Sequence, residues 1–264
     1  MTGKVIIVGA GPGAADLLTV RAVATLHSAE VVLHDDLVPA EIIELVPGSA
    51  QIVNVGKRCG SRRNSQEKIN ALMIWHAQNG SRVVRLKSGD PAIFGRLGEE
   101  LEALRRAGIP FEVVPGITSA SAGAAAAGIS LTDRRLASTL VIATGHNCRA
   151  DMASLRAQSS GSRTTVAVYM PGPDYSLTAQ QLLDAGLDAN TPCVLVSNAG
   201  RRTQQICYMT ISDLPFAIGI AAPAVLLVGE VARARSQPQE ISALKKLMEE
   251  NYEPVVSRGE NPAY

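Results

Sequence analysis

Residues 9–14, Gly9-Ala10-Gly11-Pro12-Gly13-Ala14, follow the apolar run Lys4-Val5-Ile6-Ile7-Val8 and precede an amphipathic stretch carrying Leu17, Leu18, Val20, Ala24 and Leu26. A strand, a glycine turn, a helix and an acid about twenty residues on (Asp35 or Asp36) have the spacing of a dinucleotide-binding unit. That turn works by presenting backbone N–H groups to a pyrophosphate. Pro12 has no N–H and fixes its own φ. Gly-Pro-Gly is therefore a tight, donor-poor turn, better suited to a ligand without phosphate. A second group that could do chemistry is the loop 56–64, where Lys57 is followed by Arg58, Arg62 and Arg63. Such a cluster suits an anionic ligand, although most surface cations are simply solvated. On spacing alone, a single Asp such as Asp35 in a strand-to-helix loop is a capping or solvated residue.

The elements that must position these residues alternate along the chain. Strand patterns are predicted at 4–8, 30–33, 51–55, 82–86 and 111–114, and a second series at 140–143, 165–169, 192–196, 204–208 and 224–228. Helical patterns are predicted from Asp16 and at 39–46, 65–78, 97–107, 119–127, 174–185 and 211–217. Glu99 and Glu100 favour a helix N-terminus, and Gly108 suits the position just past its end. Residues 128–136 lack periodicity and form a candidate linker. The expectation is an α/β fold with two α/β domains, 1–132 and 137–234, an active site in the cleft between them, and a polar tail over 235–264.

Composition narrows the function class. The chain has 264 residues, 46% apolar but only 3% aromatic, so a nucleic-acid surface built on stacked rings is not expected. A net charge of +1 provides no global field toward nucleic acid or membrane. Cys59, Cys148, Cys193 and Cys207 are scattered without C-x-x-C, which reads as reduced thiols and no metal site. Without a signal-peptide pattern or an apolar run of about 20 residues, the expected location is cytoplasmic.

Four segments carry a family resemblance. They are Val8-Gly9-Ala10-Gly11-Pro12-Gly13 with Leu17-Leu18-Thr19; residues 31–38, Val-Val-Leu-His-Asp-Asp-Leu-Val; Val55-Gly56-Lys57-Arg58 with Gln66-Glu67-Lys68-Ile69-Asn70; and Arg85-Leu86-Lys87-Ser88-Gly89-Asp90-Pro91 with Ile93-Phe94-Gly95-Arg96. The last continues to Val114-Pro115-Gly116-Ile117-Thr118-Ser119-Ala120, and weaker agreement runs on to Gly229-Glu230-Val231. As an ordered set these resemble the tetrapyrrole (corrin/porphyrin) methylases, on the branch that methylates uroporphyrinogen III.

The resemblance implies a homodimeric enzyme that methylates two pyrrole carbons, C2 and C7, of uroporphyrinogen III. The products would be precorrin-2 and S-adenosyl-L-homocysteine, feeding sirohaem and cobalamin synthesis. It implies S-adenosyl-L-methionine along Pro12, Ser88, Gly89, Asp90, Ile93, Thr118, Ser119, Met170, Ala199 and Ala224, with no metal. A carboxylate such as Asp90 would also favour the positive sulfonium. By the same carry-over Asp35 is the proton acceptor and Lys57 the proton donor, while Arg58, Arg96 and Arg134 contact the anionic tetrapyrrole; His146 also matches. Three departures from the family pattern stand out. Ser88 replaces a glycine, Ala92 a phenylalanine, and Asp133 a histidine, which would put an acid near a propionate site. Rival readings are a later precorrin methyltransferase, an NAD-dependent oxidoreductase and a non-enzymatic S-adenosylmethionine-binding protein.

Overall fold

The computed structural model describes residues 2–56, 65–145, 163–172, 174–217 and 219–233. Residues 1–233 form one compact unit. The tail expected over 235–264 lies outside the described residues.

The first sheet contains β1 (Lys4–Gly9), β2 (Val31–His34), β3 (Gln51–Asn54), β4 (Arg82–Lys87) and β5 (Phe111–Val114), in the order β3-β2-β4-β1-β5. Every neighbouring pair is parallel. A parallel sheet needs cover on both faces, which is why its strands read as unbroken apolar runs. Alternate residues of β1 divide between the two faces. Ile6 and Val8 pack with Ala22 and Leu26 of α1 (Val20–His27) and Ile42 of α2 (Ala40–Ile43). Val5 and Ile7 pack with Ile69 and Met73 of α3 (Gln66–Gln78) and Leu104 of α4 (Leu97–Arg106).

The second sheet contains β6 (Thr139–Thr144), β7 (Thr164–Tyr169), β8 (Pro192–Ser197), β9 (Gln205–Thr210) and β10 (Ala224–Val228), in the order β6-β7-β10-β8-β9. Only β6 and β7 run parallel; β10 is antiparallel to both β7 and β8. On one face, Tyr175 and Leu182 of α6 (Tyr175–Asp184) pack with Val166, Leu195 and Leu226. The other face is covered by α5 (Ser119–Ala126), which follows β5 of the first sheet in the chain. Its small residues allow close approach: a Cβ on Gly123 would lie 2.8 Å from Val225 Cγ1. Thus α5 ties the two sheets together.

The ten predicted strands are all present. Three helical stretches are shorter or tighter than predicted. The stretch from Asp16 is a 3₁₀ turn (Ala15–Leu17), and α1 starts only after Thr19, whose hydroxyl accepts from Ala22 N at 3.1 Å. Over 39–46 only Ala40–Ile43 is α-helical, between Pro39 and Pro47. Residues Ile211–Phe216 are 3₁₀ with Pro215 inside, which removes a donor. The linker candidate closes in a turn bridged between Asp133 and Ala137. Among the described residues no helix is long and apolar enough to cross a membrane.

Candidate active site

Parallel strands deliver their following loops to one sheet edge, and there the sequence motifs meet. Gly9 at the end of β1 lies beside Lys87 at the end of β4; His34 of β2 lies beside Leu86, and Val114 of β5 beside Val8. The second sheet contributes Tyr169 at the end of β7 and Ala224 at the start of antiparallel β10, next to Ser197 of β8. Between these loops is a cleft of about 340 Å³, a volume typical of a small-molecule site. Of the sequence-derived candidates, Pro12, Asp35, Ser88, Gly89, Asp90, Ile93, Arg96, Thr118, Ser119, Met170 and Ala224 line it.

One end of the cleft is built on glycine turns. Gly11 and Gly89 exchange backbone hydrogen bonds, Gly11 N to Gly89 O at 3.2 Å and Gly89 N to Gly11 O at 2.7 Å. The Gly11 donor that a dinucleotide turn would offer to pyrophosphate is therefore already used. Gly89 has φ +69, and a Cβ there would meet no atom within 4 Å, so this turn opens onto unfilled space. Asp90 organises the same loop: Oδ1 accepts from Ala92 N at 2.8 Å and Oδ2 from Gly116 N at 3.0 Å. Across the cleft, the Tyr169 hydroxyl accepts from Ala120 N at 2.9 Å and pairs with Thr118 Oγ1 at 2.6 Å. The tyrosine ring meets Phe94 with centroids 5.3 Å apart. The adjacent Met170 turns its side chain outward, 44% exposed.

The other end is charged. Arg85 and Lys87 point from β4 toward Glu100 of α4, and all three are buried. Arg85 Nε and Lys87 Nζ each lie 3.0 Å from Glu100 Oε1, while Gln66 Nε2 donates to the same oxygen at 3.3 Å. Arg85 Nη2 reaches forward to Asp35 Oδ1 at 2.5 Å. Burial works against the Arg85 charge, but Asp35 and Glu100 outweigh it and hold its pKa above the ordinary arginine value. Burial, then the Arg85 charge, pulls Lys87 below the ordinary lysine value against the opposing pull of Glu100. Sequence reasoning missed Arg85, Lys87 and Glu100 as site residues. Their signal was two cations after the apolar pair Val83-Val84 in the strand Arg82-Val83-Val84-Arg85-Leu86-Lys87, where only Arg82 sits at the exposed end.

Comparison with known proteins decides the family. Residues 4–215 match the tetrapyrrole (corrin/porphyrin) methylases. The chain belongs to this family. It is 44% identical over 237 residues to siroheme synthase 1 of Yersinia enterocolitica, covering 89% of this chain and 50% of that protein. The chain thus spans about half the length of the curated relatives it matches. The crystal structure of uroporphyrin-III C-methyltransferase from Thermus thermophilus complexed with S-adenosyl homocysteine superposes with a TM-score of 0.74 at 35% identity, covering 88% of this chain and 99% of that one. A cobalt precorrin-4 methyltransferase structure gives 0.75 at 31% identity, covering 86% and 94%.

The tetrapyrrole-methylase candidates for anion contact are differently placed. Arg96 lines the cleft and pairs bidentately with Glu99 at 2.7 and 2.6 Å, a hydrogen bond that raises its pKa. Arg134 is exposed and is not among the cleft-lining residues. Asp133 is a turn residue, since its carboxylate accepts from Arg135 N at 2.8 Å and from Arg135 Nη2 at 2.9 Å. Those bonds hold it well below the usual carboxylate range, and Arg135 offsets its charge. Ala199 is buried just off the lining. Lys57, Arg58, Arg62, Arg63 and His146 lie outside the described residues. Besides Arg85, a second cleft cation was not anticipated: Arg201, in the loop after β8.

Proposed function

We propose that the chain transfers methyl groups from S-adenosyl-L-methionine to C2 and C7 of uroporphyrinogen III, giving precorrin-2 and S-adenosyl-L-homocysteine on the route to sirohaem and cobalamin. The observation that carries this reading is one cleft with two chemically different ends. A glycine-opened end is bordered by hydroxyls, apolar side chains and the Asp90 carboxylate. Beside it, an aspartate is held at the rim by a buried arginine. The glycine-opened end fits a ligand with adenosyl and methionyl parts, because Gly89 leaves unfilled space and the Gly11 N–H is already bonded to Gly89 O.

In this reading Pro12, Ser88, Gly89, Asp90, Ile93, Thr118, Ser119, Met170 and Ala224 hold the cofactor, with Ala199 supporting that wall. The bound cofactor supplies a methyl group on a positively charged sulfur, open to in-line displacement. The pyrrole provides the nucleophilic carbon, so the protein must align the reactants, exclude water and move protons. Asp35, which lines the cleft, receives the proton lost from the cation that methylation leaves on the tetrapyrrole, and Arg85 anchors its Oδ1. Lys57 as proton donor, and Arg58, Arg96 and Arg134 as substrate contacts, are supported by the family resemblance. The same resemblance supports a cytoplasmic homodimer, and separate strands in each sheet support two domains meeting near residues 132–137.

The test is calorimetry followed by turnover. S-adenosylhomocysteine should bind in the micromolar range and NAD should not bind, because Gly11 N and Pro12 offer nothing to a pyrophosphate. Labelled methyl should pass to uroporphyrinogen III in about two equivalents. Saturable NAD binding, or a protein that binds S-adenosylhomocysteine but leaves uroporphyrinogen III unmethylated, overturns the proposal. Similarity to the cobalt precorrin-4 methyltransferase keeps one second reading, a later corrinoid acceptor, which the same assay with that acceptor distinguishes.

A further inference from the structure

Among the described residues three arginines line the cleft: Arg85, Arg96 and Arg201. Arg85 is neutralised by Asp35 and Glu100, and Arg96 by Glu99. Arg201 has no carboxylate partner among the described residues. Its Nη2 donates to Leu37 O at 2.8 Å and its Nε to Pro12 O at 3.3 Å, both neutral carbonyls, while Nη1 has no partner among the described residues. The guanidinium is fitted to this place. A Cβ on Gly13 would fall 2.2 Å from Arg201 Nε, and one on Gly200 would fall 2.8 Å from Leu17 Cδ1. Burial alone lowers its pKa, as expected for a cation partly removed from water without a counterion. A neutral side chain could clasp two carbonyls without that desolvation cost.

We propose that Arg201 binds a carboxylate of the acidic tetrapyrrole at the mouth of the cleft, an anion contact contributed by the second sheet. The inference rests on the functional reading above, in which the substrate carries carboxylates around its rim. The bond to Leu37 O fixes the guanidinium two residues from Asp35, on the side where that reading places substrate. When a carboxylate docks, the charge is neutralised while the carbonyl bonds keep the loop after β8 against the loops after β1 and β2.

The test is Arg201→Gln, which keeps one donor and removes the charge. The Michaelis constant for uroporphyrinogen III should rise about tenfold, as expected for a lost charge-assisted bond, with kcat within about twofold. The dissociation constant of S-adenosylhomocysteine should be unchanged. Added salt should weaken tetrapyrrole binding less in this variant than in the parent. An unchanged Michaelis constant, or a loss of S-adenosylhomocysteine affinity, overturns the proposal and makes Arg201 a clasp or a cofactor ligand. Fluorescence titration with uroporphyrin, the oxidised octacarboxylate, separates this outcome from failure of the functional reading. If the parent does not methylate uroporphyrinogen III, the Gln variant should still bind uroporphyrin about tenfold more weakly, and equal binding overturns the proposal. Should the Gln variant not fold, Arg201→Lys keeps the charge and should retain the salt dependence; a folded Lys variant with a flat salt response overturns it.

Discussion

Arg85 and Asp35 join the interior of the first sheet to the cleft: a guanidinium with 3% of its side chain exposed donates to a carboxylate with 27% exposed, at 2.5 Å. Behind this pair Glu100 is completely buried and holds Arg85 and Lys87 through one oxygen, while its Oε2 has no hydrogen-bond partner. Removing one member of a buried ionic group leaves the others uncompensated, typically at a cost of about 3–5 kcal/mol. Glu100→Gln should fall near the lower figure, about 3 kcal/mol, because Lys87 can shed its proton and Arg85 keeps Asp35. Urea unfolding checks this as a lower midpoint at constant slope. A loss below about 1 kcal/mol would mean that water reaches this group.

Asp35→Asn separates chemistry from architecture. The variant keeps the shape and an acceptor oxygen for Arg85 but cannot take a proton at ordinary pH. General-base groups typically contribute about a hundredfold or more. Turnover should fall by at least that factor, with S-adenosylhomocysteine affinity within about twofold and a smaller stability loss than in Glu100→Gln, because Asp35 is 27% exposed and Arg85 keeps Glu100. Near-normal turnover would leave Asp35 as an anchor for Arg85 and nothing more.

The strands were legible because parallel strands covered on both faces must be apolar throughout, and Val5-Ile6-Ile7-Val8 and Val83-Val84 show it directly. The cleft-lining loops were legible because Gly-Pro-Gly and Ser-Gly-Asp-Pro are positions where backbone conformation itself is constrained; Gly89 at φ +69 is the clearest case. The antiparallel run of β10 was not legible, since pattern within a strand does not record its direction, yet that direction brings Val225 beside Tyr169 and Ala224 beside Ser197. Arg201 was missed for a related reason. It acts through contacts with Pro12 and Leu37, more than 160 positions away in the chain, and no local spacing encodes them. Arg85 and Lys87 entered only as part of a motif and were not read as charges in a buried strand, and their partner Glu100 looked like an ordinary helix-start acid.

Cys193 predicts a pH dependence of stability. It lies in the middle of the second sheet, and burial pushes its thiol up to about 12 from 9.0. Below pH 9 the thiol is protonated in both folded and unfolded chains, so its full contribution is present. Between about 9 and 12 the unfolded chain ionises and the folded one does not, and stability falls by about 1.4 kcal/mol per pH unit from this group. Cys193→Val should match the parent near pH 7 and lose less stability on going to pH 10.5, measured by urea unfolding at both pH values. Parallel losses would mean that the folded thiol ionises freely.

Strain gathers at the cleft. Phe94, Arg96 and Met170 have φ of 50°, 55° and 49°, in the left-handed region that favours glycine, and all three line it. Such residues cost about 1–3 kcal/mol each and persist where the surroundings enforce them. Met170 gains little from packing in return, because it is 44% exposed. Met170→Gly should therefore leave stability unchanged or raise it by up to about 1 kcal/mol, with the glycine's larger unfolded-state entropy offsetting part of the relief. The same change removes an apolar wall of the cofactor end, so S-adenosylhomocysteine should bind about tenfold more weakly. Thermal unfolding and calorimetry on one preparation read both effects. A variant that loses stability while binding normally would place Met170 in the packing of the second sheet and not in the site.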